Sequence, residues 1–389
     1  IVELARRLAA RGVVVDIFSR ASSAELPEAV HLAPGVTVQQ VRTGPHALDR
    51  HRMGCELRHF TEGVLRTGTS RYDVVHSHYW LAGLAGEQLA RRWDVPLVHS
   101  MHTMAKVKNL HRPQDDAAEP VARIVGELQV VDAADRLVAS TGTEANQLVA
   151  LYGADPERVV VVSPGVDLDL FTPGDRTAAR HRLGLRPDAV VLLFAGRIQP
   201  LKAPDLLLRA AALLVENDRT LRDRLVVAVV GGPSGSALAR PEALRWLAKD
   251  LEIGDITRFE PPVEQRVLVD WYRAADLTVV PSYSESFWLV ALESEASGTP
   301  VLAASAGGLP TAVANGYSGL LVASHDPVHW AMTARGLLDD PALLQRLRDG
   351  ALSHARTFSW RATADRMLSV YARAVETHRM DRVREVVGA

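Results

Sequence analysis

The stretch Leu277-Thr278-Val279-Val280-Pro281, followed by Ser284-Glu285-Ser286-Phe287-Trp288-Leu289-Val290-Ala291-Leu292-Glu293 and then by Gly298-Thr299-Pro300-Val301, reads as strand, loop, helix and second strand. The carboxylates of Glu285 and Glu293 fall at the start of that helix and two turns further in. At about 3.6 residues per turn they are expected to share one face. Phe287, Trp288 and Leu289 would present free main-chain N–H groups at the helix N-terminus, a setting that suits a phosphate. A diphosphate beside carboxylates that grip hydroxyls is the chemistry of a nucleotide-sugar site. Two glutamates at this spacing also occur on solvated helix surfaces. The surrounding S-E-S-F-W-L-V-A-L-E and G-T-P-V make the phrase specific.

Working outward, strand-like apolar runs alternate with helix-period segments along the chain. The expected strands are Val13–Ser19, Val36–Val41, Asp73–His76, Pro96–Ser100, Arg136–Ser140 and Val159–Val162 in the first half. In the second half they are Val190–Ala195, Val226–Gly231, Ile256–Phe259, Leu277–Pro281 and Val301–Ala304. Short, β-branched, mostly apolar strands separated by helices form parallel sheets covered on both faces. Two doubly wound α/β domains are expected, as the length of 389 residues also suggests.

The boundary falls in Ser163–Gly174, a polar stretch punctuated by two prolines and two glycines. The expected division is 1–165, 166–358 and a helical tail, 359–389. Ile1–Ala10 already reads as a helix, and Arg176–Leu185 as another.

An apolar share of 47% with 23% charged residues is that of a soluble globular protein. A net charge of −2 gives no general attraction to nucleic acid, so an anionic ligand must be held by local cations. Cys55 is the single cysteine, which excludes an intrachain disulfide. It is expected to be a small buried hydrophobe in a reducing compartment. The absence of an apolar run of about 18–20 residues argues against a membrane span, and no signal peptide precedes the first helix. A cytoplasmic location is expected.

The local cations follow the strand Val190–Ala195, in Gly196-Arg197-Ile198-Gln199-Pro200-Leu201-Lys202-Ala203-Pro204-Asp205. A close-approach glycine and two cations at a strand end make a diphosphate clamp, Arg197 as a fork and Lys202 as a point charge. Gly231-Gly232-Pro233-Ser234-Gly235-Ser236 also follows a strand. It lacks both the Lys-Ser/Thr ending of a P-loop and the G-x-G-x-x-G spacing, so it reads as a tight turn lining a nucleotide cleft.

In the first half, His76-Ser77-His78-Tyr79-Trp80 ends one strand and Ser100-Met101-His102-Thr103-Met104-Ala105-Lys106-Val107-Lys108-Asn109 ends the next. Ligands of open parallel sheets sit outside the carboxyl ends of strands. His76 and His78 lack an evident third ligand, which argues against zinc. The absence of a G-x-S-x-G elbow argues against a serine hydrolase.

The Ser284–Glu293 phrase and G-R-x-x-x-x-K resemble the signatures of retaining family-4 glycosyltransferases with the GT-B fold. The resemblance narrows with H-S-H-Y-W-L, H-T-M-A-K-V-K-N, Arg123-Ile124-Val125-Gly126-Glu127 and G-R-I-Q-P-L-K-A-P-D. Together they are similar to the mycothiol-pathway D-inositol-3-phosphate glycosyltransferases, along almost the whole chain. This resemblance implies two facing Rossmann-like domains with an interdomain cleft and a tail that crosses back to the first domain. It also implies a homodimer. Its donor would be UDP-N-acetylglucosamine and its acceptor 1D-myo-inositol 3-phosphate, joined with retention at the anomeric carbon.

Carried over position by position, Arg50, Tyr79, Thr103 and Arg123 would hold the inositol phosphate, with His102 beside the transferred sugar. Arg197 and Lys202 would take the diphosphate, Val263 the uracil, Glu285 the sugar hydroxyls and Glu293 the ribose, with Phe287, Trp288 and Leu289 at the donor. His102, Arg197, Lys202 and Glu285 would be the catalytic group. No organic cofactor is implied; a structural magnesium ion would lie near Tyr272, Arg273, Ala275 and Thr299.

Three departures stand out. Trp288 replaces a family glycine and is expected to crowd the donor phosphate, and Arg50 replaces a lysine. The family's first strand and glycine-rich loop are expected ahead of Ile1 and are not in the sequence. Two alternatives remain at this level: a family-4 transferase with another acceptor, and a nucleotide-sugar-binding relic with impaired catalysis.

Overall fold

The computed structural model describes residues 1–48, 50–68, 72–111, 118–233, 242–285 and 289–388, the side chains of 50, 51 and 385–388 excepted. The chain forms two compact units. One contains Ile1–Leu110, Glu119–Ser163 and the segment from Trp360 onward; the other contains Pro164–Ser359.

In chain order the first unit has α1 (Val2–Ala9), β1 (Val15–Arg20), β2 (Ala29–Ala33), β3 (Val36–Val41), α2 (Leu57–Thr67) and β4 (Val75–His78). It continues with α3 (Trp80–Trp93), β5 (Leu97–Ser100), α4 (Ala105–His111), α5 (Val121–Ala133), β6 (Arg136–Ala139), α6 (Gly142–Tyr152) and β7 (Val159–Val161). The second unit has α7 (Arg176–Arg182), β8 (Val190–Ala195), α8 (Pro204–Asn217), β9 (Leu225–Val230), α9 (Ala243–Asp250), β10 (Thr257–Glu260) and α10 (Gln265–Ala274). There follow β11 (Leu277–Val280), α11 (Leu289–Ala296), β12 (Val301–Ala304), α12 (Leu309–Ala312), β13 (Gly319–Val322), α13 (Pro327–Asp339) and α14 (Pro341–Ala355). One long helix, α15 (Trp360–Gly388), ends the described chain and belongs to the first unit.

The second unit is built on a wholly parallel sheet of order β10-β9-β8-β11-β12-β13. Its inner strands read as continuous apolar runs because helices cover both faces. Leu277, Val301 and Ala303 are fully buried. Sequence order reverses between β8 and β11: the chain moves from β8 outward to β9 and β10, then returns to the other side of β8. The loops that leave these two neighbours therefore diverge and open a crevice at their carboxyl ends.

In the first unit the strands form two sheets, β1-β3-β2 and β4-β5-β6-β7. Val98, Val138 and Val162 pack under Leu4 and Leu8 of α1 and Ala364, Met367 and Val370 of α15. Helix α6 opens with a variant of the capping box: Thr141 Oγ1 accepts from Glu144 N, and Glu144 Oε2 accepts from the N–H of Ser140, one residue before the cap, at 2.8 Å.

Two strands lie outside the expected set. β2 pairs antiparallel with β3 at the sheet edge, and its half-exposed Ala-Val-His-Leu-Ala run is too mixed to give a strand signal. β13, Gly-Leu-Leu-Val, begins on a glycine at the sheet edge and becomes a strand by pairing with β12. Cys55 is exposed on a 3₁₀ turn, Arg50–Glu56, which corrects the expectation of a buried cysteine. That turn buries little, so a small apolar side chain there has no core to join.

Between β1 and β4 lies an apolar groove of about 290 Å³. Leu4, Leu8 and Tyr371 line one wall, and Leu89, Phe60 and Trp93 the other. Among the described residues, β1 pairs only with β3 and β4 only with β5, so each turns an unpaired edge into the groove. Unpaired main-chain groups in an apolar slot favour an inserted strand. A chain extended upstream of Ile1 by one apolar strand of about five or six residues and a turn should merge the two sheets. The expected result is a rise in melting temperature of roughly 5 °C or more, with slower amide exchange at Val15–Arg20 and Val75–His78. Unchanged melting and exchange would show that the groove does not take a strand.

Candidate functional site

The crevice of the second unit receives the loops that follow β8 and β11. Ahead of α8, the chain after β8 passes Gly196 at φ +141° and makes a 3₁₀ turn, Pro200–Lys202. Tyr283 N donates to Leu201 O at 3.0 Å, which ties this turn to the loop after β11. The tie brings Lys202 Nζ onto Glu285 Oε2, where Ser282 Oγ also donates at 3.2 Å. Glu285 is buried, at 7% exposure, whereas Arg197 is exposed.

The backbone of Glu285 is fixed from behind. Gly308 N donates to Glu285 O at 2.7 Å, and a Cβ on Gly307 (φ +57°) would stand 2.6 Å from that carbonyl oxygen. Only glycine fits so close an approach.

The two carboxylates of the motif do not share a helix face. Helix α11 is described from Leu289, so Glu285 stands in the loop ahead of it while Glu293 lies inside it. Their partners also differ: Glu293 Oε2 accepts from Tyr272 Oη at 2.9 Å. Glu285 is held off the helix by Lys202 and by the Gly308 amide. Leu289 is the first described residue of the helix; Phe287 and Trp288 lie outside the described residues. Val263 is half-buried in the loop after β10, adjoining the turn after β9, where Gly232 approaches Pro262.

Tyr272, Arg273, Ala275 and Thr299 do not fit a metal site built from side chains. Thr299 Oγ1 donates to Tyr272 O at 2.6 Å, and Arg273 is a cation that donates to Thr172 O and Oγ1. The set contains no carboxylate, and its hydroxyl and carbonyl already satisfy each other. Hard divalent cations take oxygen ligands, usually including carboxylates. No group of three or more His, Cys, Asp or Glu suited to a metal occurs among the described residues.

In the first unit, Tyr79, Thr103 and Arg123 converge. Tyr79 caps α3 at φ +74° and Thr103 follows β5. Arg123 projects from α5 and donates to Thr103 Oγ1 at 2.8 Å and to Thr103 O at 3.1 Å. Its guanidinium lies 5.1 Å from the Tyr79 ring centre, a cation–π contact. Gly126 lets α5 pack closely on the neighbouring Trp80: a Cβ there would stand 2.6 Å from the Trp80 ring. Arg50 begins the 3₁₀ turn, and its side chain lies outside the described residues.

Sequence reasoning missed the group that holds Arg123. Glu127, wholly buried, accepts from Arg123 Nε at 2.7 Å, Ala105 N at 2.9 Å and Tyr152 Oη at 2.5 Å. The signal was available, because Arg123 and Glu127 are four apart on a helix and face one another. Glu119 Oε2 meets Arg123 at 2.8 Å, and Lys108 donates to Glu119 Oε1 at 2.7 Å.

The histidines form a half-buried row. His78 Nδ1 and His102 Nε2 are 2.8 Å apart, and His76 bridges Tyr371 Oη and Ser100 Oγ. Burial pushes His76 down to about 3 and His102 to about 4, so both rings are neutral at pH 7. His102 holds φ +59°, an uncommon conformation that turns its ring toward His78.

Two family profiles divide the chain between them: "Glycosyltransferase Family 4" matches residues 1–170, and "Glycosyl transferases group 1" matches residues 175–354. The D-inositol 3-phosphate glycosyltransferase of Thermobispora bispora is 58% identical over 381 residues, 97% of this chain and 89% of the relative. That of Streptomyces coelicolor is 52% identical over 397 residues, 97% of this chain and 87% of the relative. Among solved structures, sucrose-phosphate synthase from Thermosynechococcus elongatus superposes with a TM-score of 0.87 at 28% identity, covering 96% of this chain and 92% of that one. HepE from Anabaena, solved with UDP and glucose, gives a TM-score of 0.73 at 18% identity over 86% of each chain and shows the fold alone. With two Rossmann-like units of the GT-B fold, this chain belongs to the D-inositol 3-phosphate glycosyltransferase family.

Proposed function

We propose that this glycosyltransferase moves N-acetylglucosamine from UDP-N-acetylglucosamine to 1D-myo-inositol 3-phosphate, with retention at the anomeric carbon, in mycothiol biosynthesis. The observation that carries the reading is the convergence of Tyr79, Thr103 and Arg123, a cation, a hydroxyl and an aromatic face at the carboxyl ends of β4 and β5. The relatives' name supplies the acceptor to test. No helix of the described residues is long and apolar enough to cross a membrane, and a cytoplasmic location fits a water-soluble donor and acceptor.

In this reading Arg197 and Lys202 take the donor diphosphate, Val263 the uracil and Glu293 the ribose. Glu285, now on Lys202, exchanges that contact for sugar hydroxyls. Transfer is front-face: the acceptor hydroxyl forms the new glycosidic bond as the bond to the diphosphate breaks, and the leaving diphosphate takes its proton. Arg197 and Lys202 stabilise the charge that develops there. His102, neutral at pH 7, donates or accepts a hydrogen bond beside the sugar without placing a positive charge there. The chemistry requires no organic cofactor.

UDP release should depend on the acceptor phosphate and fall sharply with unphosphorylated inositol. Charge-assisted bonds to a phosphate contribute roughly 1.5–3 kcal/mol each. Equal turnover of both acceptors would remove the assignment.

Lys202→Ala should lower kcat by about 10²-fold as well as weakening donor binding, because the leaving group gains charge in the transition state. Steady-state kinetics with a wild-type kcat would reject the clamp.

Glu293 gives a pH test. Burial pushes its carboxyl up to about 7, only partly offset by the bond from Tyr272. The folded value lies above the unfolded one, near 4.3, so the stabilising neutral form is present at low pH and lost as pH rises through 7. A ribose hydroxyl donating to Glu293 favours the charged form. Calorimetry with UDP should therefore show binding that tightens several-fold from about pH 6 to pH 8, and Glu293→Gln should flatten that dependence to what the titration of the UDP phosphate itself leaves. A variant that retains the wild-type profile would take Glu293 off the ribose.

A further inference from the structure

Every nitrogen of the Arg123 guanidinium is engaged: Nε with Glu127, one terminal nitrogen with Glu119 and the other with Thr103. A phosphate that takes this guanidinium needs one of these contacts to yield. Glu127 cannot, because its departure would strand the Ala105 amide and the Tyr152 hydroxyl as well as the guanidinium inside the protein. Thr103 is neutral and itself able to donate to an anion.

Glu119 is different. Its side chain is 23% exposed, against 0% for Glu127, and among the described residues its carboxylate oxygens meet Lys108 and Arg123, the two cations an incoming anion would seek. Burial raises its carboxyl, but Lys108 and Arg123 outweigh burial and hold it below its ordinary value, so it is ionised at neutral pH. Two cations thus face two carboxylates, a neutral cluster. A phosphate monoester arriving with about −1.5 to −2 charge meets repulsion from Glu119 as long as that carboxylate stays.

We propose that Glu119 is the resident anion of this subsite, a specificity-determining carboxylate that occupies Arg123 and Lys108 until a phosphate monoester displaces it. The inference rests on the acceptor reading above and adds how the subsite selects. A bare hydroxyl cannot outcompete a carboxylate for two cations, whereas a dianion with three acceptor oxygens can. Rejection of unphosphorylated polyols is then a built-in competition added to the contacts they lack.

Inorganic phosphate is the probe, titrated into the full chain and into Glu119→Gln, Glu119→Ala and Arg123→Gln, with UDP affinity and thermal melting as checks that each variant is folded. Removing the competing charge should tighten phosphate binding about five- to tenfold in both Glu119 variants and lower the KM for inositol phosphate in parallel, while UDP affinity stays constant. Arg123→Gln should lose phosphate binding. Phosphate binding that is unchanged or weaker in the Glu119 variants, with Arg123→Gln still defective, overturns the inference and leaves the acceptor reading standing, since Glu119 would then merely brace Arg123. Phosphate binding that is absent throughout, or that survives Arg123→Gln intact, overturns the acceptor reading and the inference together.

Discussion

The reversal of strand order between β8 and β11 is the constraint on which the donor-side cluster depends. When two parallel neighbours send their crossovers to opposite sides, their outgoing loops diverge and leave a gap at the strand ends that polar side chains of both loops can enter. Lys202 arrives from one loop and Glu285 from the other. The Tyr283–Leu201 hydrogen bond sets their distance, and the Gly307-Gly308 main chain stops the Glu285 loop from retreating.

The first unit solves a different problem: how to hold a cation where an anion has to reach it. A buried guanidinium without a partner would be unstable, and one buried with two equal carboxylates would be unavailable. Glu127 compensates the charge from inside, fixed by the α4 main chain and by Tyr152. Glu119 compensates it from the solvent side. A fully satisfied network of this kind is rigid at its inner end. Rigidity there aims Arg123, and the exposed end leaves it reachable.

Much of this was legible from residue order. The runs Val190–Ala195 and Val301–Ala304 are apolar throughout because both faces of their sheet are covered, and that composition alone marks them as inner parallel strands. β2 and β13 were not legible, being edge segments whose only strand credential is the neighbour they pair with. Glu285 was misplaced onto a helix because a period of about 3.6 can be continued on paper past the point where the chain leaves the helix. Cys55 was expected in the core from residue type, yet the turn that carries it has no core beneath it.

The sequence by itself determined the alternation of strands and helices, the two doubly wound units and the family, because hydrophobic period and motif phrases are local and survive without knowledge of the neighbours. It also set the inventory of charges near each strand end. Tertiary structure alone decided who meets whom: Lys202 with Glu285, 83 positions apart, and Tyr152 with Glu127, 25 apart. Those pairings follow from sheet order and from how far each loop can reach. An ion pair gains its energy from distance in space, and distance along the chain does not fix that until the strands have chosen their neighbours.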